Sequence, residues 1–251
     1  MRRGRSSRGL LVAGAVIGAV ALFGCSSSGD TPQVSESPAA EPNGVQELSA
    51  KQILARVQDA VAAATSVRVA GSIIQGGSSL DVNLQLGADG SASGSLAGNG
   101  QLVQILAIDG TVYASADEAF WAGQVDAQAA AQLANKYVEV PADNNSLNSF
   151  SNYDAFIGQL VSPEGTVTKG DQTTVDGVDV IELIDSKGEG VLSISLVGEP
   201  LPVKVGSPTA GELNLTDWSA AFTVTAPTPS DIVDPSTIPP STPGTSGSPS
   251  P

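Results

Sequence analysis

Cys25 is the residue of this chain whose surroundings define its chemistry most clearly. It is the one cysteine in a sequence of 251 residues. Arginines at positions 2, 3, 5 and 8 precede an apolar run from Leu10 to Phe23, and Gly24 separates that run from Cys25. A positive segment, a short apolar segment and a small residue are the layout of a secretory signal. The sequence therefore predicts a signal peptide over residues 1–24.

The cysteine directly after the small residue adds a covalent step. Leu22, Gly24 and Cys25 resemble a bacterial lipobox, whose cysteine thiol receives a diacylglycerol and becomes the mature N-terminus, although Phe23 replaces the more usual Ala or Ser. The alternative, a retained membrane span, needs roughly 20 apolar residues, and this run has 14. Two acyl chains are about what stable anchoring requires. We therefore expect lipidation of Cys25, with fatty acids such as palmitate, and anchoring of an exported protein to the outer face of the cytoplasmic membrane.

The rest of the composition limits the available chemistry. Without histidine or a second cysteine, the usual zinc sites, Ser-His-Asp triads, Cys-His dyads and intrachain disulfides cannot be built. Paired carboxylates still permit glycoside hydrolysis, a third hypothesis beside the two given below. Four acids lie on predicted strands and turns without the spacing of a calcium loop: Asp171, Asp176, Asp179 and Asp185. We therefore predict no catalytic residues, no metal, no cofactor and no enzymatic activity.

Net charge restricts the partners. The full chain has 11 basic and 26 acidic residues, and cleavage before Cys25 removes four of the basic ones, which leaves a net charge of −19. Such a surface repels phosphate backbones and anionic headgroups. The sequence therefore predicts no nucleic acid binding, and it predicts attachment to the membrane through the lipid at Cys25 rather than through a basic patch.

Composition also divides the chain. Residues 25–46 are rich in Ser, Pro and Glu and predict a lipidated, disordered tether. Residues 227–251 contain eight prolines and predict a disordered Pro/Ser-rich tail. The segment 47–226 between them is long enough for one domain with a substantial core.

Hydrophobic periodicity predicts the elements of that domain. Residues 48–64, with Ser49 as N-cap, carry apolar residues at helical spacing. Alternation with a period of two then predicts strands, and Asp109-Gly110 predicts a hairpin. The predicted strands are 67–73, 80–86, 91–97, 101–108, 111–115, 166–175, 178–184, 190–197, 201–206 and 212–224. Between the two groups of strands, 117–135 and 152–160 are predicted helices and 140–148 a predicted loop.

A large antiparallel sheet with one apolar face needs cover, and the helices are the candidates for it. The predicted fold is therefore α+β, with a large curved antiparallel sheet (a half-barrel) covered on its concave face by helices. Because medium-sized aliphatic residues dominate the strands, two outcomes remain open. Either the helices fill the concave side, or they leave an apolar cavity for a ligand.

Several segments in a fixed order resemble the LppX_LprAFG lipoproteins of actinobacteria, within the wider LolA/LolB-like group. The resemblance covers about residues 48–227, and 140–150 depart from it. Besides Cys25, its tether and the first helix, the similar segments are Thr65–Gly71, Ile108–Tyr113, Pro200–Val205 and Asp217–Pro227. The resemblance implies a hydrophobic cavity that binds acyl chains of a lipid or lipoglycan and carries them across the envelope, with a possible envelope transport partner. A structural or sensory lipoprotein that binds a protein partner through its sheet is the alternative.

The candidate ligand-binding residues follow from this expectation. Side chains on the inward face of two strands are predicted to line the cavity: Val82, Leu84, Leu86, Leu192, Ile194 and Leu196. Seven aromatic residues fall between positions 113 and 156, and four of them are candidates for a gate: Tyr113, Phe120, Trp121 and Phe156. Ordinary core packing is the alternative role for all ten.

Overall fold

The computed structural model describes residues 41–187 and 190–237, except for the side chains at positions 75, 145, 146 and 235. The predicted signal peptide, Cys25 and most of the predicted tether lie outside these residues. The helices are α1 (Ala50–Ala63), α2 (Glu118–Ala122), α3 (Ala127–Leu133), α4 (Asn145–Ser149) and α5 (Tyr153–Leu160). The strands are β1 (Ser66–Gln75), β2 (Ser78–Gly87), β3 (Ala92–Gly98), β4 (Gln101–Ile108), β5 (Thr111–Ala116), β6 (Tyr137–Glu139), β7 (Val167–Val175), β8 (Val178–Asp185), β9 (Val191–Ser195), β10 (Pro202–Ser207), β11 (Gly211–Thr216) and β12 (Ile232–Val233).

Within the described residues, the strands form one sheet of twelve in the order β12-β6-β5-β4-β3-β2-β1-β11-β10-β9-β8-β7. Neighbouring strands pair antiparallel except β12 and β6, which are parallel. The sheet is curved and open, so its ends do not meet as a barrel. Helices lie on its apolar face, which confirms the predicted α+β half-barrel.

The register places the alternating aliphatic residues on one face. Val69 is opposite Leu84, and Leu84 is opposite Gly94 on the next strand. Leu84 is completely buried in the hydrophobic core beneath the helices. The other face is polar, and there Arg68 donates a hydrogen bond of 2.8 Å to Asn83. The period-two pattern therefore separates the buried face from the solvated face, as it does in half-buried sheets.

Helix α1 is the main cover of the sheet. The backbone N–H of Ser49 donates to the side chain of Gln52 at 3.1 Å, which satisfies a donor before the first turn. Ile53, Val57 and Val61 are spaced at one face of the helix and are buried. The structure confirms the predicted helix and its N-cap.

The region of the short helices differs from its prediction. The predicted helix 117–135 is two helices, because Asp117 caps α2 by accepting from the N–H of Phe120 and Asp126 caps α3 by accepting from the N–H of Ala129. The predicted loop 140–148 contains the start of α4, where Asn144 accepts from the N–H of Leu147. Capping residues inside an otherwise helical pattern therefore divide it.

The last predicted strand, 212–224, is wrong beyond Thr216. Asp217 and Ser219 have positive φ angles of 52° and 57°, so the chain turns out of the sheet there. The N–H of Ser219 donates to the carbonyl of Ser66 at 2.8 Å, which holds the turn against β1.

The folded domain extends past both predicted boundaries. Before position 47, the N–H of Asn43 donates to the carbonyl of Leu196 and Val45 is buried. After position 226, β12 pairs with β6, and Lys136 forms a salt bridge of 3.1 Å with Asp231. These polar segments are ordered by contacts with residues that are distant in the sequence. Local composition cannot reveal such contacts.

Candidate functional site

An apolar opening lies between the helices and one half of the sheet. This α1/α5 cleft has a volume of about 400 Å³ and is bounded by α1, α5 and strands β7 to β10. Its apolar lining consists of Leu54, Leu160, Val161, Pro163, Val167, Leu183, Val191, Leu192 and Val205. Leu183 and Leu192 are paired neighbours on β8 and β9, and Leu192 is paired with Val205 on β10. The cleft is therefore a continuation of the apolar sheet face that the helices leave incompletely covered.

The one aspartate in this cleft is held by backbone donors. Asp185 accepts from the N–H of Glu164 at 2.9 Å and from the N–H of Lys187 at 3.1 Å. These bonds fix the connection that follows α5 to the turn after β8. The carboxylate of Asp185 thus has a structural role at the edge of the cleft.

A second apolar opening lies over the other half of the sheet. This hairpin cleft has a volume of about 360 Å³ and lies between α2, α4 and strands β2 to β4. Its apolar lining consists of Leu80, Leu96, Val103, Phe120, Leu147 and Phe150. In both clefts the lining residues are mostly apolar, as is usual for sites that bind small molecules, and polar residues such as Gln101 in the hairpin cleft and Glu164 in the α1/α5 cleft complete the lining.

A larger and more polar cavity of about 580 Å³ lies at the far end of the sheet. Its lining includes Asp89, Glu139 and Asp154. Hydrogen bonds from Ser91, the side chain first and then the backbone, lower the pKa of Asp89. Burial raises the pKa of Tyr153 to about 12, with a further contribution from the charge of Asp154. The Tyr153 hydroxyl donates to the carbonyl of Val61 at 2.9 Å and so joins α5 to the end of α1.

The six predicted lining residues occupy two kinds of position. Leu192 lines the α1/α5 cleft. Val82, Leu84, Leu86 and Ile194 are buried in the hydrophobic core, and Leu196 is partly buried at its margin. Leu84 and Ile194 are fully enclosed by neighbouring side chains, so the helices fill this part of the concave side.

The four predicted gate residues are divided between the two faces of the sheet. Phe120 lines the hairpin cleft, and its ring meets that of Trp121 edge-on at 5.1 Å. Phe156 packs against Phe150 at 5.6 Å. Tyr113 is opposite Leu106 on β4, and the alternation places both on the face away from the helices. Tyr113 therefore lies apart from the other three.

The indole N–H of Trp121 is buried, and no hydrogen-bond acceptor for it is found among the described residues. A buried donor of this kind costs about 1–3 kcal/mol. It lies in α2, a helix of five residues beside the hairpin cleft.

The sequence did not predict that several of the cleft residues belong to a site. Leu54 and Leu160 were assigned to helices, and Val205 to a strand, without a role in a site. Leu147 falls in the predicted loop 140–148, and both Leu147 and Phe150 fall in the segment 140–150, which departs from the family resemblance. Their common signal is an apolar side chain, which shows which side chains are available for a site but not which of them the fold leaves uncovered.

Within residues 41–187 and 190–237, no group of three or more acidic side chains is placed to hold a metal ion. The predicted carboxylates Asp171, Asp176, Asp179 and Asp185 are not gathered into such a group. In the same part of the chain, no helix is both long and apolar enough to cross a bilayer.

Two solved structures of mycobacterial proteins are similar to this chain. LprF from Mycobacterium bovis has 16% identity and a TM-score of 0.49, and the match covers 71% of this chain and 96% of that chain. The lipoprotein LppX from Mycobacterium tuberculosis has 16% identity and a TM-score of 0.46, and the match covers 70% and 99% respectively. No family model and no curated protein sequence matches the chain. At this identity the likeness concerns the fold alone.

Proposed function

We propose that this protein is a lipidated envelope protein that binds acyl chains of a lipid or lipoglycan beneath its helices and helps to carry that lipid across the envelope. The observation that supports this most directly is the α1/α5 cleft, whose volume of about 400 Å³ is walled by aliphatic side chains of two helices and four strands. Small-molecule sites typically range over about 300–1,000 Å³ and have such walls.

Burial of methylenes supplies the binding free energy in this proposal. Each methylene moved from water to an apolar site contributes roughly 0.8 kcal/mol, so about ten contribute roughly 8 kcal/mol before the entropic costs of association. No catalytic step is needed, and the aspartate of the cleft is already engaged by the backbone of Glu164 and Lys187. We accordingly propose a binding protein and not an enzyme.

The alternative, a protein that binds a partner through its sheet, would use the free edge at β7. This strand has nine residues, most of them exposed. Its pairing with β8 is irregular between Lys169 and Gln172, and a charged residue and a bulge are devices that protect sheet edges from further pairing. Lys169 also donates to the carbonyl of Gln46 at 2.8 Å. These features favour the clefts over the edge as the site.

A bulky side chain in the α1/α5 cleft tests the proposed site. Val205 is half-buried and lines the cleft. In Val205→Trp, we expect the added ring to occupy the cleft and to weaken binding of a pyrene-labelled acyl probe on the order of tenfold or more, since several methylenes lose their place. Fluorescence titration measures the affinity.

Gln104→Trp is the matched control, because Gln104 is exposed on the other face of the sheet, away from the helices. It should bind the probe as the unmodified protein does. Gentle mass spectrometry of protein purified from its host should also show bound lipid. A lipid-free mass together with no uptake of the probe would overturn the proposed function.

The proposed anchor has a separate test. Cys25→Ser removes the thiol that would be acylated, so we expect the variant to stay uncleaved or to leave the lipid-bound fraction. Fractionation of cells and the intact mass of the N-terminal peptide measure this. Unchanged membrane association with a cleaved N-terminus would contradict the lipobox interpretation.

A further inference from the structure

The two ends of the sheet differ in charge. At one end, three turns join β1 to β2, β3 to β4 and β10 to β11, and their residues are Gly76-Gly77, Asn99-Gly100 and Pro208–Ala210. Because these strands lie side by side in the order β10-β11-β1-β2-β3-β4, the three turns are neighbours. None of them carries a charge. We call these three turns the uncharged rim.

The turns at the opposite end each carry an acidic residue. Asp89 lies between β2 and β3, Asp109 between β4 and β5, and Glu199 between β9 and β10. The three turns of the uncharged rim contain seven residues and none of the 26 acidic residues of the chain. The rim itself therefore adds no charge that an anionic or apolar boundary would repel.

Two large apolar side chains are exposed next to this rim. Ile74 is 48% exposed and Leu102 is 49% exposed. Ile74 lies opposite Ser79 at the end of β1, and Leu102 lies opposite Ala97 at the start of β4. Both side chains are thus within a few residues of the turns, on the face away from the helices.

Both apolar clefts open at the same end. Ser78, Ser79 and Asn99 lie at the border of the hairpin cleft. Thr209 and Ala210 lie at the border of the α1/α5 cleft. The residues that surround the openings therefore include those of the uncharged rim and of the strand ends beside it, together with Glu164 and Asp185 at the border of the α1/α5 cleft.

Charged residues set the limits of the rim. On one side Asp185 ends β8 and Lys187 follows it, and on the other side Asp117 and Glu118 lie at the start of α2. Glu212 lies further from the rim than Ile74 does, by about two residues or roughly 7 Å along the strands. Its carboxylate forms a salt bridge of 2.6 Å with Lys204. Interfacial elements typically enter a bilayer by about 5–10 Å, which is the depth available before these charges.

We propose that the uncharged rim docks on the surface of a lipid bilayer and that both clefts then open towards the membrane. The proposal rests on the proposed acyl-binding function and gives it a direction of entry. The chain enters the domain at the other end, where the carbonyl of Glu41 accepts from the N–H of Gly198. The chain from Cys25 to Glu41 makes 16 residue-to-residue steps and reaches at most about 55 Å. The ten residues of β1 span about 33 Å. A lipid at Cys25 and the rim can therefore contact the same bilayer.

Tryptophan quenching tests the contact directly. Leu102 and Gln104 are exposed on the same face of β4 and about 7 Å apart along the strand. Mature acylated protein carrying Leu102→Trp or Gln104→Trp is reconstituted in phosphatidylcholine vesicles with brominated acyl chains. We expect quenching of the added fluorescence to be about twofold or more stronger at position 102, because it lies nearer the bilayer. Equal quenching at both positions, including none at either, would overturn docking and leave the rim to a protein partner.

Extraction of lipid tests the consequence. In the double variant Ile74→Asp with Leu102→Asp, we expect the extraction of pyrene-labelled phosphatidylcholine from the vesicles to slow on the order of tenfold, since two apolar contacts become charges. The control, Ala88→Asp with Gln104→Asp, adds the same charge away from the rim and should extract at the normal rate.

Binding of detergent-dispersed probe separates the two proposals. If the unmodified protein does not bind it, the proposed function fails, whereas normal binding with unchanged extraction by the double variant overturns docking alone.

Discussion

Replacing Gly94 by alanine should destabilise the domain by about 3–4 kcal/mol, the sum of backbone strain and overpacking. Gly94 has a φ angle of 150°, and a Cβ at this position would collide with the carbonyl oxygen of Asn83 and lie 2.8 Å from the Cα of Leu84. Both obstacles belong to the backbone of β2, so no side-chain rotation relieves them. For a domain of this size, the expected fall in the melting temperature is about 6–16 °C.

Gly100→Ala is the matched control for this prediction. Gly100 also has a positive φ angle, of 76°, but no heavy atom lies within 4 Å of the position of its Cβ. Only backbone strain of about 1 kcal/mol should result. Thermal unfolding of the two variants measures the difference. Equal melting temperatures would show that close packing of β3 on β2 at Gly94 is not a stabilising feature of the sheet.

The same geometry explains why the sheet curves. Gly71 and Gly211 share with Gly94 a backbone that approaches the neighbouring strand too closely for a Cβ. Glycines in strand interiors mark such close approaches and bends. They lie on β1, β11 and β3, near the middle of the sheet. Loss of one is therefore expected to change the curvature of the face that the helices cover.

Local patterns predicted the elements whose determinants are local. Asp109-Gly110 predicted a hairpin, and the structure ends β4 at Ile108 and begins β5 at Thr111. Both turn residues have positive φ angles, which Asp and Gly tolerate. Strand β6, with three residues, and β12, with two, were not predicted, because β6 is stabilised by pairing with both β5 and β12, and β12 by pairing with β6 almost a hundred positions away.

The sequence predicted only part of the candidate site, because the rest of the site depends on contacts between residues that are distant in sequence. Alternation showed that Leu84 and Leu192 face the helices, and both do. It could not show that the helices enclose Leu84 while the side chain of Leu192 borders an opening, because that depends on where Leu54 and Leu160 lie. In β5, whose sequence has no clear polar alternation, the orientation of Tyr113 followed only from its pairing with Leu106.

Leu84→Ala and Leu192→Ala should separate stability from ligand binding. Leu84 is fully buried, so its truncation leaves a closed void and should cost about 4 kcal/mol of unfolding free energy. Leu192 lines the α1/α5 cleft and already lacks neighbours on one side, so its truncation should cost about 2 kcal/mol. Denaturant unfolding measures both free energies.

Binding of the acyl probe should respond in the opposite order. Leu192→Ala removes about three methylene equivalents from the wall of the cleft and should change the affinity for the pyrene-labelled probe several-fold. Leu84→Ala should leave the affinity unchanged under conditions where the variant is folded, since Leu84 is fully buried and is not among the residues that line the α1/α5 cleft. If instead Leu84→Ala altered the affinity and Leu192→Ala did not, the acyl chain would occupy the centre of the core, and the helices would have to move aside to admit it.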